Sequence, residues 1–256
     1  MEVLTAAYTD VGIKKATNQD SICLTIAETP VGKVVLAVIC DGMGGLSKGE
    51  LASTTVINAF SNWFEQKLPN QLVEEDFDRN IQSYWDQMLK EMNERIGAYG
   101  RKERIQLGTT VTALLIIDTK FMLIGHVGDS RVYRLNDRLQ VLTEDQTVVG
   151  RELKNGNITP EQAKVDPRRN VLLQCIGASK VVEPDFISEQ PKIGEVYVLC
   201  SDGFRHMITE QEMYDAFSPE KMIDEKDMQE KAIEMVELNK QRQETDNISV
   251  VLIKMM

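Results

Sequence analysis

Four aspartates stand at the edges of apolar runs that read as buried strands: Asp41 after VVLAVIC, Asp129 after FMLIGHVG, Asp202 after VYVLC and Ser201, and Asp246 ahead of ISVVLI. A carboxylate at a strand end is held rigidly by its sheet yet still reaches solvent. If several such ends meet at one edge of a sheet stack, their charges repel unless hard cations neutralise them, and magnesium and manganese prefer carboxylate and water oxygens. The pattern points to hydrolysis at a centre with more than one metal.

Residue periodicity indicates what would carry these ends. Apolar alternation at Val3, Leu4, Ala6 and Tyr8, and then over 21–27 and 33–40, predicts three strands. After the glycine turn Gly42 to Gly45 the period lengthens. Val56, Ile57, Phe60, Trp63 and Phe64 share one face, and Phe77, Ile81, Tyr84, Trp85, Met88, Leu89, Met92 and Ile96 share another, which predicts two long amphipathic helices. Further strands are expected at 110–117, 121–127, 131–135, 196–200 and 248–254, and a helix at 227–240. The polar segment 145–170 reads as an excursion from the core, with a short helix that Thr159 caps and Pro160 opens. Hairpin connections with paired helices favour an α+β sandwich in which helices cover antiparallel sheets. With 256 residues, 42% of them apolar, and no linker or repeat, a single domain over 1–256 is expected.

The net charge of -11 argues against a general nucleic-acid or membrane-surface binder, because phosphates repel an acidic surface. Cys23, Cys40, Cys175 and Cys200 form no CxxC pair and read as buried thiols in a reducing compartment. The opening MEVLTAAYTDVG has neither a basic start nor a long apolar segment, so a cytoplasmic protein is the expectation. His126 and His206 are the only histidines, too few for a zinc centre built on several imidazoles.

TNQD at 17–20, DGMGG at 41–45, LGTT at 107–110, GDSR at 128–131, SDG at 201–203 and Asp246-Asn247 form an ordered series that resembles the bacterial branch of the protein phosphatase 2C family. The resemblance runs from about Tyr8 to the C-terminus, and 155–177 is similar to that branch's flap and the segment after it. It implies a four-layer α-β-β-α sandwich, two antiparallel sheets flanked by helices, with a flap near 145–170. It also implies a two-metal centre of manganese or magnesium. By motif match Asp41 bridges the two ions, Asp202 and Asp246 complete the first ion's carboxylates, the Gly42 carbonyl serves the second, and Asp20 holds metal-bound water. A third, weaker ion would use Asp129 and Asp202. Lys15 stands where the family has an arginine that grips the substrate phosphate. The activity implied is metal-dependent hydrolysis of phosphoserine and phosphothreonine on proteins, opposing a bacterial serine/threonine kinase, with no covalent phosphoenzyme and no nucleic-acid or membrane partner.

Several positions depart from the family pattern. Lysine brings a point charge but not the planar fork of a guanidinium. Gln19 replaces a glutamate of animal relatives, and Gln146 a histidine frequent in bacterial ones. Met43 replaces a histidine proposed as general acid, so the leaving alkoxide would take its proton from water. Gln174 stands where arginine is common, a change expected to alter peptide recognition. Some alternatives stay open. Asp129 is either a metal ligand or a hairpin corner beside an ordinary Arg131 ion pair. His126 reads as a core histidine, His206 as structural or substrate-touching, and Arg168-Arg169 as solvated charges or a contact for an acidic substrate. A binding module without turnover and a hydrolase of another phosphoester are the rival functions. Retention of Asp41, Asp202 and Asp246 opposes the first and the acidic balance the second.

Overall fold

In the computed structural model, which describes residues 1–44 and 48–256, the apolar run at 34–40 is buried on both faces. Val34, Leu36, Val38 and Cys40 join one core cluster, while Val35, Ala37 and Ile39 join another. Side chains along a strand alternate in direction, so such a strand must lie between two layers.

The chain begins with β1 (Val3–Asp10), β2 (Ser21–Thr29), β3 (Gly32–Cys40) and β4 (Gly42–Gly44), and continues through α1 (Gly49–Gln66), α2 (Leu68–Gln71) and α3 (Phe77–Glu103). Then come β5 (Leu107–Thr109), β6 (Val111–Ile117), β7 (Phe121–Val127), β8 (Arg131–Leu135), β9 (Leu139–Val141), α4 (Val148–Lys154) and α5 (Pro160–Val165). The last part comprises β10 (Asp185–Glu189), β11 (Val196–Cys200), α6 (Asp202–Arg205), α7 (Glu210–Phe217), α8 (Glu225–Gln241) and β12 (Ile248–Met255). Gly45, the end of the expected glycine turn, lies outside the described residues.

Two antiparallel sheets form, in the orders β1-β12-β11-β8-β9 and β10-β7-β6-β3-β2, beside a small β4-β5 ribbon. Phe60 and Trp63 of α1 and Ile81, Trp85 and Leu89 of α3 pack on the second sheet with Val34, Leu36, Ala113 and Leu115. Phe204 of α6, Met213 and Phe217 of α7 and Met228 and Val236 of α8 cover the first sheet. Ile39, Leu114 and Ile124 meet Tyr197, Leu199 and Val251 between the sheets. The expected four-layer α-β-β-α sandwich is therefore the observed one. The Trp63 and Trp85 stripe is core, with ring centroids 5.2 Å apart and edge to face.

Antiparallel register sets where the aspartates emerge. Ile39 pairs with Thr112 and Val111 with Val127 in one sheet, and Cys200 pairs with both Val250 and Arg131 in the other. The ends of β3, β7 and β11 and the starts of β6, β8 and β12 thus share one edge, and Asp41, Asp129, Asp202 and Asp246 all leave from it.

The segment 145–170 is an excursion carrying α4 and α5, closed at its neck by a bridge between Thr147 and Leu172. Thr159 caps α5 in a full capping box with Gln162, with Pro160 in the first turn as predicted. The sequence reading did not anticipate β10: its only apolar residues, Phe186 and Ile187, are adjacent, so no alternation shows, and pairing with β7 makes it a strand. Among the described residues no helix is long and apolar enough to cross a membrane.

Candidate metal centre

The Asp41 backbone is clamped from both sides. Its N–H donates to Thr110 Oγ1 at 3.0 Å, and its carbonyl accepts from the Thr110 N–H and Thr109 Oγ1, both at 2.9 Å. The next residue has no room for a side chain: a Cβ on Gly42 would lie 2.5 Å from the carbonyl oxygens of Gln19 and Gly49. Gly203 is as tightly placed, with a Cβ position 2.2 Å from the Asn247 carbonyl. That close approach seats the start of α6 on the turn before β12 and brings Asp202 beside Asp246.

The electrostatics tie five carboxylates into one cluster. Burial, followed by the charges of Asp20, Asp202, Asp129 and Asp246, pushes the Asp41 carboxyl well above its ordinary range. Asp20 is pushed up to about 7 by burial and by Asp202 and Asp246, against hydrogen bonds from Ser249 and Ser201. Asp129 is also pushed up to about 7, by burial and Asp202, with Arg205 opposing. Asp20 Oδ1 and Asp202 Oδ1 are buried without any hydrogen-bond partner, a costly arrangement for anionic oxygens unless a cation meets them.

Four of the five carboxylates turn toward different internal partners. Lys15 Nζ pairs with Asp246 Oδ1 at 2.8 Å, Ser249 Oγ donates to Asp20 Oδ2 at 2.6 Å, His206 Nε2 stands 3.5 Å from Asp202 Oδ2, and Arg205 Nη2 stands 3.8 Å from Asp129 Oδ2. So disposed, no three His, Cys, Asp or Glu side chains among the described residues enclose a common point. The unpartnered oxygens of Asp20 and Asp202 and the all-oxygen donor set fit hard divalent cations. Lys15 lies on a metal-ligand candidate. Burial alone would lower its pKa, but the Asp246 hydrogen bond and the charges of Asp246, Asp41 and Asp202 raise it overall.

Asn247 is a positioning residue that no sequence pattern marks. Its Oδ1 accepts from the Gln19 N–H at 2.9 Å, and its Nδ2 donates to the carbonyls of Val11 at 2.9 Å and Thr17 at 3.1 Å. The buried amide therefore fastens the loop carrying Lys15 and Asp20 to the start of β12. A lone asparagine leaves no periodic signal; its place directly after Asp246 was the only hint. Asn247→Ala, which strands three backbone groups, is expected to cost about 3 kcal/mol of stability in a denaturant titration.

Other singled-out residues serve the frame. Gln146 accepts from the Gly128 N–H and from Gln174 Nε2 and donates to Asp185 Oδ2, while Gln174 also exchanges hydrogen bonds with the Glu183 backbone. Gln146 ties the flap neck to the β7–β8 turn, and Gln174 braces Gln146 against the Glu183 backbone. His126 is a core histidine, bonded to Thr112 Oγ1 and the Glu144 carbonyl, and burial lowers its pKa. His206 lies between Asp202 and Glu244. Arg131 forms the expected ion pair, two-pronged on Asp145. Arg168 pairs with Asp166 in solvent, whereas Arg169 lines a groove of about 1070 Å³ between the flap and α6–α7 that reaches Asp129 and Asp246. Burial pushes the Cys200 thiol up to about 12, which removes it as a nucleophile.

A family model for protein phosphatase 2C matches residues 13–245. The chain is 31% identical over 249 residues to a putative protein phosphatase 2C-type of Streptococcus pyogenes, covering 96% of this chain and 94% of that protein. It is 29% identical to the protein phosphatase PhpP of Streptococcus pneumoniae, covering 96% and 95% of the two chains. Among solved structures, the serine/threonine phosphatase of S. agalactiae superposes with a TM-score of 0.86 at 29% identity over 100% of both chains. The catalytic domain of the serine/threonine phosphatase PstP, in complex with two manganese ions, superposes at 0.79 and 29% identity over 98% and 97%. With its motifs gathered at one edge of the expected sandwich, this chain belongs to the protein phosphatase 2C family.

Proposed function

We propose that residues 1–256 form one catalytic domain that hydrolyses phosphoserine and phosphothreonine on proteins. Asp41, the Gly42 carbonyl, Asp202 and Asp246 would hold two manganese or magnesium ions. The observation that carries this reading is the pair of unpartnered buried oxygens, on Asp20 and Asp202, inside a cluster of carboxylates drawn from both sheets. Bound there, the ions would supply Lewis acidity, lowering the pKa of water and offsetting charge on the phosphoryl oxygens.

The chain's own residues do the rest. Asp20, fixed by Ser249, orients water at the centre through its free oxygen. Lys15 is half exposed on a flexible stem, so its ammonium can exchange Asp246 for a substrate phosphate. Met43 cannot donate a proton, and the leaving alkoxide takes one from water. The groove beside Asp129 and Asp246 takes the peptide, with Arg169 at its flap wall. A serine/threonine kinase acting on the same proteins in the cytoplasm is the partner this activity requires.

Lys15→Arg is expected to keep kcat and to leave KM for a phosphothreonine peptide unchanged or lower, because a guanidinium grips phosphate with two prongs. Steady-state kinetics on that variant check it. The function itself is tested with phosphoserine, phosphothreonine and phosphotyrosine peptides and nucleotides, each with manganese and with chelator. Release of phosphate from the first two only, and only with metal, is expected. Undiminished turnover in chelator would remove the metal mechanism.

A further inference from the structure

The residue that follows the SDGF stretch is a largely covered arginine, its side chain 15% exposed. Arg205 closes α6 and donates from Nη2 to the Asp129 carbonyl at 3.0 Å and to Asp145 Oδ2 at 3.2 Å, with Asp129 Oδ2 at 3.8 Å. It cannot turn away easily. Asp145 is itself held by Arg131 through two hydrogen bonds of 2.7 and 2.8 Å, and Arg131 also donates to Tyr133 Oη at 3.1 Å. At the root of the flap Asp129 and Asp145 face Arg131 and Arg205, with Asp202 the further negative charge on Asp129.

We propose that Arg205 supplies, from within the chain, the positive charge that a third ion would bring to Asp129, so that the centre takes two ions and Asp129 is a positioning residue. This rests on the two-ion reading above. A divalent cation on Asp129 Oδ2 would share that oxygen with a guanidinium 3.8 Å away, in a buried place where like charges are poorly screened. The planar fork is always charged and pre-organised by Asp145, so it holds the position in the absence of metal. In that role Arg205 also joins the Asp129 backbone to Asp145, linking the metal edge to the flap neck.

The test counts manganese by calorimetric titration and elemental analysis on the intact protein and on Asp129→Asn, Arg205→Ala and the double variant. Two ions are expected in the wild type and in Asp129→Asn. Arg205→Ala is expected to gain a third, weaker ion that the double variant loses. A third ion in the wild type that disappears with Asp129→Asn overturns the proposal, and so does a folded Arg205→Ala protein that still takes only two. Should Arg205→Ala fail to fold, the Asp129→Asn comparison decides alone. Absence of any bound ion in the wild type defeats the two-ion reading first, and this proposal with it.

Discussion

Asp202→Asn is expected to lower phosphopeptide turnover by about 1,000-fold or more, which corresponds to losing on the order of 4 kcal/mol of transition-state stabilisation. Asp202 is the carboxylate whose charge raises the pKa of Asp20, Asp41 and Asp129 alike, so its removal would deprive the proposed ions of an anionic ligand and relieve repulsion in the metal-free protein. The same variant should therefore melt higher than wild type in chelator, by about 2–4 °C for a gain near 1 kcal/mol. Phosphate-release assays and thermal melts on one preparation check both halves. Loss of activity together with a lower melting point would mean general damage, and a wild-type rate would contradict the ligand assignment.

The second large effect is a pH dependence that metal reverses. Asp20 and Asp129 are pushed up to about 7 and Asp41 is raised, whereas the unfolded chain ionises such groups near 3.8. The folded protein thus binds these protons more tightly than the unfolded one. Their contribution is fully present below about pH 4 and is lost as pH rises through about 7. The two histidines act in opposite senses across that window: Glu244 and Asp202 raise the His206 pKa against its burial, and burial lowers that of His126. The carboxylates therefore set the slope. In chelator the melting temperature at pH 8 should lie on the order of 5–10 °C below that at pH 5.5. With manganese, which binds the ionised carboxylates of the folded state only, the gap should close or invert. A flat profile in chelator would contradict the clustering of these groups.

Much of this was legible in the sequence because the signals were local and repeated. VVLAVIC announced a strand buried on both faces, and its alternate residues divide between two cores. The Phe77 to Ile96 stripe announced α3, and Thr159 with Pro160 announced the start of α5. Asp41, Asp129, Asp202 and Asp246 stood out because each interrupts an apolar run. What stayed hidden depends on partners distant in the chain. Asn247 reaches back 228 residues to Gln19, and Arg205 reaches back 76 residues to Asp129. Gln146 and Gln174, visible only as departures from a family pattern, turn out to serve one another and the flap neck. Lys15, read as a phosphate contact, rests on Asp246 because the nearest uncompensated charge attracts it first.

The most direct measurement is anomalous diffraction at the manganese edge from crystals grown in manganese. The account predicts two strong peaks at the shared edge of the sheets, with Asp41, the Gly42 carbonyl, Asp202 and Asp246 among their ligands. Electron density in which those oxygens stand apart with no ion between them would contradict it.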